Sequence, residues 1–175
     1  KLDFWYKREM DMKLIAVCDE NWAIGRNNGL LFRLPEDMKH FKKLTEGKTV
    51  LLGSNTLRSF PGGKPLKNRR NIVLSHSLAE GDGYEVMRGI SELSGLISDE
   101  EVFVIGGASV YEQLLDYCDG AIITKVAAKA ENPDRFLPNL DKLENWVLVR
   151  QSRPIRDNDL TITFCEYENL KPLKL

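Results

Sequence analysis

The stretch VFVIGGASVYEQLL (residues 102–115) sets the fold class of the chain. Its first four residues form an unbroken apolar run, which is typical of a parallel strand buried on both faces of a sheet. Two glycines follow, and Ala108–Tyr117 then has a helical pattern. A buried strand, a tight turn and a helix in direct succession are the repeating unit of α/β folds with a mainly parallel sheet.

The same alternation recurs along most of the chain. Helices are predicted over Glu36–Leu44, Asn55–Phe60, Ile90–Ile97 and Ala108–Tyr117. Eight strands are predicted over Leu14–Cys18, Thr49–Leu52, Asn71–Leu74, Tyr84–Met87, Val102–Ile105, Ala121–Val126, Trp146–Gln151 and Thr161–Tyr167. The last two flank the turn-rich RPIRDND, which predicts an antiparallel hairpin at a sheet edge. We therefore predict a single α/β domain with an eight-stranded, mostly parallel central sheet, flanking helices and an antiparallel C-terminal hairpin.

Length and composition suit one compact domain, because the 175 residues are 42% hydrophobic. The net charge of -1 gives no electrostatic signature for nucleic acid or an acidic membrane surface. No apolar run reaches the roughly 20 residues of a helical membrane span. Cys18, Cys118 and Cys165 are odd in number and widely spaced, which predicts buried free thiols in a reducing cytoplasm and no metal site. Residues 1–11 lack the apolar region of a secretory signal, so we interpret them as an extension or cloning remnant before a domain over residues 12–170.

The helix Glu36–Leu44 carries a carboxylate on its apolar side. At about 100° per residue, Asp37 falls beside Phe41, whereas Glu36 and His40 fall on the solvent side. Acids are common in a first helical turn, where free N–H groups favour negative charge. That explains Asp37 less well, because an unpaired buried carboxylate is costly and an apolar wall should raise its pKa. Two interpretations remain: a first-turn acid, or a group that binds a polar ligand.

Glycine turns follow two of the predicted parallel strands. The Gly106–Gly107 pair either brings the backbone close to a pyrophosphate or makes a tight turn with positive φ. In TVLLGSNTLRSF (residues 49–60), Gly53 ends a strand, and one of residues 54–56 could cap the next helix. The carboxyl ends of parallel strands form the ligand crevice of open α/β sheets, so two such turns indicate a site at that edge.

NRRNIVLSHS (residues 68–77) places two arginines before a strand and Ser75 and His76 after it. An arginine can bind a carboxylate through two parallel hydrogen bonds. A solvated charge pair explains Arg69 and Arg70 equally well.

Four blocks together resemble dihydrofolate reductases of the bacterial type. They are LIAVCDENWAIGRNNGLLFRLPEDMKHFK (residues 14–42), GKTVLLGSNT (47–56), RRNIVLS (69–75) and VFVIGGASVYEQLL (102–115), and the ordered resemblance covers residues 12–167. It implies an eight-stranded sheet with four flanking helices. It also implies NADPH-dependent reduction of 7,8-dihydrofolate to 5,6,7,8-tetrahydrofolate, by hydride transfer to C6 of the pterin, in one-carbon metabolism. We expect a cytoplasmic monomer that binds dihydrofolate and antifolate inhibitors.

The resemblance also assigns roles to individual positions. Asp37 matches the acidic active-site residue, which would accept hydrogen bonds from the pterin ring, and Thr124 matches the threonine that steadies it. The other expected substrate-binding residues are Ile15, Met38, Phe41, Phe60, Leu66, Arg69 and Ile105. The expected cofactor-binding residues are Ala16, Ile24, Gly25, Leu30, Gly53, Ser54, Asn55, Thr56, Leu74, Ser75, His76, Arg88, Gly106, Gly107, Ala108, Ser109, Val110 and Tyr111. The family further implies a cis peptide between the paired glycines and a mobile loop over residues 23–31.

Two departures from the family pattern bear on function. The family usually has Arg or Lys after the glycine of GKTVLLG, in contact with the 2′-phosphate of NADPH, and here that position is Ser54. NADH is therefore not excluded, and His76 or Arg70 are the candidates to compensate. ENPDRFLP (residues 131–138) replaces a usual Gly-Asp-Thr-aromatic-Phe-Pro pattern, so its pairing with the loop over residues 23–31 is left open.

Two other functions stay open on the sequence alone. One is a reductase of the same fold that acts on a riboflavin-pathway pyrimidine, although that family lacks the LPED helix with its inward acid. The other is a catalytically silent folate- or nucleotide-binding protein. The combination of Asp37, Thr124 and the glycine pair argues against silence, whereas Ser54 keeps it open.

Overall fold

The computed structural model describes residues 11–96 and 100–175, and its regular elements follow the predicted alternation. The strands are β1 (Asp11–Cys18), β2 (Ala23–Gly25), β3 (Thr49–Gly53), β4 (Arg70–Leu74), β5 (Tyr84–Met87), β6 (Glu101–Gly106), β7 (Gly120–Val126), β8 (Arg135–Phe136), β9 (Trp146–Gln151), β10 (Ile155–Asp157) and β11 (Leu160–Asn169). The α-helices are α1 (Pro35–Thr45), α2 (Ser54–Ser59), α3 (Leu93–Leu96) and α4 (Ala108–Leu114). Within these ranges no helix is long and apolar enough to cross a membrane.

One central sheet organises the described residues, with the strand order β10-β11-β7-β1-β6-β3-β4-β5. The six strands from β7 to β5 along this order are parallel to one another, and β11 joins them antiparallel to β7. β2 and β8 form a separate two-stranded sheet. The α/β class and the mostly parallel sheet are confirmed.

Burial explains why the central strands are apolar throughout. Every residue of β3 is buried, because helices and loops cover both faces of the sheet where it runs. The three cysteines are buried and free, as predicted. The interior is therefore an ordinary close-packed core, and the site must lie at an edge of the sheet.

The C-terminal hairpin is present, with one more strand than the sequence predicted. RPIRDND was interpreted as a turn, yet it contains β10, which pairs with the first residues of β11. β9 pairs with the last residues of the same strand, Cys165–Asn169. Since β7 occupies the other side of β11, β9 and β10 lie end to end along one edge. They make one interrupted edge strand, so eight strand positions cross the sheet.

The helices differ from prediction mainly at their ends. α4 stops at Leu114 and continues as a 3-10 turn over Leu115–Tyr117. The helix predicted from Ile90 begins as a 3-10 turn before α3, and its predicted end at Ile97 lies outside the described residues.

Candidate active site

A cleft of about 1250 Å³ opens at the carboxyl ends of the parallel strands. The strand-end residues Gly53, Leu74 and Gly106 line it, as the fold predicts for an open α/β sheet. All of the predicted substrate- and cofactor-binding residues line this cleft except Ile105 and Thr124. Ile105 packs against the apolar cluster behind the wall, and Thr124 is buried below Asp37.

Asp37 lies in the first turn of α1 and faces the cleft, half-buried. Pro35 at the start of the helix has no N–H to leave unpaired, and its fixed φ suits a first helical position. The Thr124 hydroxyl of β7 donates a hydrogen bond of 2.6 Å to Oδ1 of Asp37. Burial raises the pKa of Asp37, while the Thr124 hydrogen bond and nearby His40 oppose that rise and Asp157 adds to it. The raised pKa agrees in direction with the expectation from the apolar wall.

The N-terminus of α1 is capped from a distant part of the chain. The N–H groups of Glu36 and Asp37 donate to Oδ1 and Oδ2 of Asp157, at 3.1 and 3.0 Å. The side-chain amide of Asn158 donates to the carbonyl oxygen of Arg33 at 3.0 Å. These helical N–H groups were expected to be free, because no local pattern links a helix start to a hairpin about 120 residues away.

His40 was predicted on the solvent side of α1, but it is only partly exposed. Its ring stacks on Phe164 of β11 with 4.0 Å between ring centroids, and burial lowers the pKa of His40. Nε2 is buried and has no hydrogen-bond partner among the described residues. The helical projection placed His40 opposite the apolar side of α1 correctly, but the C-terminal hairpin packs against the side of α1 that carries His40.

Apolar side chains form the walls beside the carboxylate. Phe41, Phe60 and Leu66 are half-buried, whereas Met38 is 61% exposed although it lies on the apolar side of α1. A large exposed apolar side chain at the rim of a cleft is typical of a ligand wall. Arg69 reaches the same end of the cleft, where its Nε donates to the Thr45 hydroxyl at 3.2 Å.

The two glycine turns are positions where a side chain would be strained or crowded. Gly106 has φ of +129° and is joined to Gly107 by a cis peptide bond, as the resemblance implied. A Cβ on Gly53 would lie 3.0 Å from Cγ2 of Val110, so the strand passes α4 too closely for a side chain. Gly53 itself is the N-cap residue of α2, and no side chain of the described residues caps this helix. Capping therefore does not explain the polar residues Ser54, Asn55 and Thr56.

The candidate compensating cations differ in position. Arg70 begins β4, at the end of the strand opposite the cleft, and bonds Glu85 at 2.6 and 2.9 Å and Glu100 at 2.8 Å. It does not line the cleft, so this suggested role was wrong. His76 and Arg88 both line the cleft, and Arg88 Nη1 donates to the Ser75 carbonyl at 3.0 Å.

The loop over residues 23–31 borders the cleft and pairs with ENPDRFLP, which the sequence analysis had left open. β2 pairs with β8. Oδ2 of Asp134 accepts a hydrogen bond from the N–H of Asn27, and the Asp134 N–H donates to the Gly25 carbonyl, both at 3.0 Å. ENPDRFLP keeps an aspartate, Asp134, which makes these contacts. That residue could have predicted the pairing from the sequence.

Further lining residues were not predicted as site residues. Most are neighbours in the sequence of residues that were predicted, so their place on the same loop or helix could have indicated that they line the cleft. They are Val17, Arg26, Asn28, Gly29, Leu31, Phe32, Leu34, Lys39, Lys42, Ser59, Pro61, Ser77, Gln113 and Arg135.

One cleft therefore joins two glycine turns at the sheet edge to a single half-buried carboxylate, which is the arrangement of an α/β nucleotide-dependent oxidoreductase. The family model for dihydrofolate reductase matches residues 11–169. The chain belongs to the dihydrofolate reductase family.

Its similarity to known members extends over most of the chain. The chain is 36% identical to the dihydrofolate reductase of Bacillus subtilis (strain 168) over 161 residues, which is 90% of this chain and 94% of the relative. It is 33% identical to that of Neisseria gonorrhoeae over 160 residues, 90% of this chain and 98% of the relative. Among solved structures, dihydrofolate reductase from Enterococcus faecalis complexed with NADP(H) and RAB-propyl superposes with a TM-score of 0.81 at 28% identity, covering 91% and 96% of the two chains.

Proposed function

We propose that this chain catalyses the NADPH-dependent reduction of 7,8-dihydrofolate to 5,6,7,8-tetrahydrofolate. The observation that carries the proposal is the Asp37 carboxylate, which faces an apolar cleft and is held there by Thr124 at 2.6 Å. Burying a carboxylate beside apolar walls costs free energy, and a polar ligand that pairs with the carboxylate offsets that cost.

Asp37 binds and orients the pterin. Its carboxylate can accept two parallel, charge-assisted hydrogen bonds from N3 and the 2-amino group of the ring. These bonds favour the tautomer that accepts a proton at N5, and water supplies that proton. Thr124 leaves Oδ2 available by bonding to Oδ1 only.

The apolar walls and Arg69 hold the rest of the substrate. Met38, Phe41, Phe60 and Leu66 line the cleft around the pterin and aminobenzoyl groups and exclude water from the reacting atoms. Arg69, which is steadied by Thr45, binds the α-carboxylate of the glutamate tail.

The cofactor end fits a dinucleotide. Gly53 and Gly106 present bare backbone to the cleft, and among the described residues no side chain caps α2 or α4. When bound, NADPH supplies the hydride from C4 of its nicotinamide. The chain's contribution is to align that carbon with C6 of the pterin and to close the loop over residues 23–31 above them.

Other properties belong to the same proposal. We infer that residues 12–170 form the catalytic domain, which acts as a cytoplasmic monomer without nucleic-acid or membrane partners, and that antifolates bind in the substrate half of the cleft. The match over residues 11–169 supports the boundary.

A turnover assay tests the proposal directly. Purified protein is mixed with dihydrofolate and either NADPH or NADH, and loss of reduced-nicotinamide absorbance is followed. We expect turnover with a preference for NADPH. Cofactor and folate binding without turnover would instead identify a silent binding protein, and turnover only with a riboflavin-pathway pyrimidine would identify the other reductase.

A further inference from the structure

We propose that Asp157 is a positioning residue for this reaction: its carboxylate fixes the first turn of α1 and thereby keeps Asp37 at the floor of the cleft. The inference rests on the proposed function, because it concerns how Asp37 is presented to the substrate. The C-terminal hairpin thus contributes to the active site through Asp157, although Asp157 does not line the cleft.

Asp157 acts as a helix cap that comes from a distant segment of the same chain. Asp157 is only 3% exposed, and each of its oxygens accepts one hydrogen bond from consecutive N–H groups of α1. The second of these groups is the N–H of Asp37 itself. Leu34, the local N-cap residue, offers no side-chain hydrogen bond. The hairpin therefore replaces the cap that the helix's own sequence lacks.

The hairpin that carries Asp157 is held in place by its register. Asp157 ends β10 opposite Leu160, and Asn158 and Asp159 both have positive φ, 50° and 63°. Two successive residues in this conformation form the tight turn that matches the twist of a hairpin. The position of Asp157 is thus set by β11 rather than by a loose loop.

The same strand also sets the position of Thr124. In the pairing of β11 with β7, Phe164 lies opposite Thr124. β11 consequently aligns both groups that hold Asp37: Thr124, which bonds the carboxylate, and Asp157, which bonds the backbone. A shift of β11 against the sheet would move both supports together.

Charge gives Asp157 a second, separable effect. The charged groups that act on Asp37 are His40 from its own helix and Asp157 from β10, while Thr124 of β7 contributes an uncharged hydroxyl. The negative charge of Asp157 adds to burial in raising the pKa of Asp37. Replacing Asp157 by a neutral residue removes that contribution, so the pKa of Asp37 should fall.

Asp157→Asn tests the proposal, because asparagine keeps the shape but can accept only one of the two hydrogen bonds through its oxygen. We expect single-turnover hydride transfer at neutral pH to slow about tenfold, as small misplacements of a reactive group do. Carboxyl ¹³C NMR of the free protein should show a lower pKa for Asp37 than in the unaltered chain.

Two neighbouring variants serve as matched controls. Asp159→Asn makes the same change on the adjacent turn, where the side chain is fully exposed, and should alter neither measurement. Asn158→Gly removes the amide contact to Arg33 while glycine tolerates the positive φ. It should leave the pKa of Asp37 raised, which separates anchoring of the helix from the charge effect.

The proposal is overturned if folded Asp157→Asn protein has an unchanged hydride-transfer rate, whatever the pKa of Asp37, because a lower pKa alone follows from the lost charge. If that variant does not fold, Asp157→Glu retains the charge but displaces it by one methylene, and an unaltered rate there would equally contradict the proposal. Absence of turnover in the unaltered chain would refute the proposed function instead. Hydrogen exchange of the Glu36 and Asp37 amides, which needs no substrate, would then test whether Asp157 holds the first turn of α1.

Discussion

The two ends of the cleft are built differently. At the end proposed to bind the pterin, Asp37 is held by Thr124 and its helix is capped by Asp157, so the carboxylate is fixed by contacts within the protein. At the cofactor end, Ser54 and Asn55 begin a helix that they do not cap, and His76 and Arg88 lie on loops or strand ends along the cleft wall.

This difference determines where a substitution is costly. A half-buried carboxylate is costly unless its supports are present, so loss of a supporting group such as Thr124 or Asp157 would destabilise the protein even without a ligand. Exposed polar groups at the cofactor end carry no such cost, because water solvates them in the absence of a nucleotide. Ser54, where the resemblance implied a basic residue, lies at the end where the fold tolerates a change.

The largest effect should come from the pterin end. We expect Asp37→Asn to lower kcat/KM for dihydrofolate by about a hundredfold or more, because asparagine offers one acceptor in place of two and carries no charge. Steady-state kinetics with circular dichroism would check activity and fold together. Glu36→Gln is the control, since the Glu36 side chain is exposed and, among the described residues, its carboxylate pairs with Lys39 alone, at 3.1 Å. Equal losses in the two variants would mean that the helix as a whole, rather than its inward acid, is responsible.

Thr124→Val should have the next largest effect. It deletes a hydrogen bond to a charged group, which corresponds to about a tenfold loss in turnover, and it should raise the pKa of Asp37 further because that bond favours the charged form. The pH dependence of hydride transfer would detect the shift. Thr124→Ser keeps the hydroxyl and should retain most of the activity. If valine and serine variants behaved alike, the hydroxyl would have no role in holding the acid.

A smaller effect is expected from Ser54→Arg at the cofactor end. A guanidinium at the start of α2 can bond the 2′-phosphate, which should increase the preference for NADPH over NADH about tenfold. Affinities measured by titration of each cofactor provide the comparison. Ser94→Arg adds the same charge on the exposed face of α3, away from the cleft. A gain in both variants would show a general effect of net charge rather than a phosphate contact.

The smallest effect concerns stability. The pKa of Asp37 is raised above its usual 3.8 in the folded protein, so the native state binds this proton more tightly than the unfolded state does. The resulting stabilisation is fully present below the unfolded pKa and is lost as pH rises through the folded pKa. Asp37→Asn removes this dependence and should be the more stable protein at neutral pH. Urea unfolding between acid and neutral pH would measure it, and a parallel pH dependence in both proteins would contradict the assignment.

Local patterns predicted most of the fold and the pterin site. Strand boundaries depend on short apolar runs, and the predicted Tyr84–Met87 and Trp146–Gln151 agree with β5 and β9 residue for residue. The inward direction of Asp37 follows from helical periodicity alone. The position of Arg70 away from the cleft could also have been predicted, because a residue before a parallel strand lies at the edge opposite the ligand crevice.

What could not be predicted depends on packing between distant segments. His40 was predicted on the solvent side of α1. The ring that partly buries it belongs to Phe164, and no pattern within α1 predicts that contact. Asp157 was interpreted as a turn residue for the same reason. A polar, turn-rich sequence does not distinguish a solvated tip from one that caps a helix.

The long-range cap also constrains the order in which the enzyme can mature during synthesis. Glu36 and Asp157 are 121 positions apart, so the helix that bears the acid leaves the ribosome long before its cap is made. Earlier segments can pair locally, but the acid acquires its final support only when nearly the whole domain has emerged. Nascent chains halted before β10 should therefore contain much of the parallel sheet and yet lack a competent folate pocket.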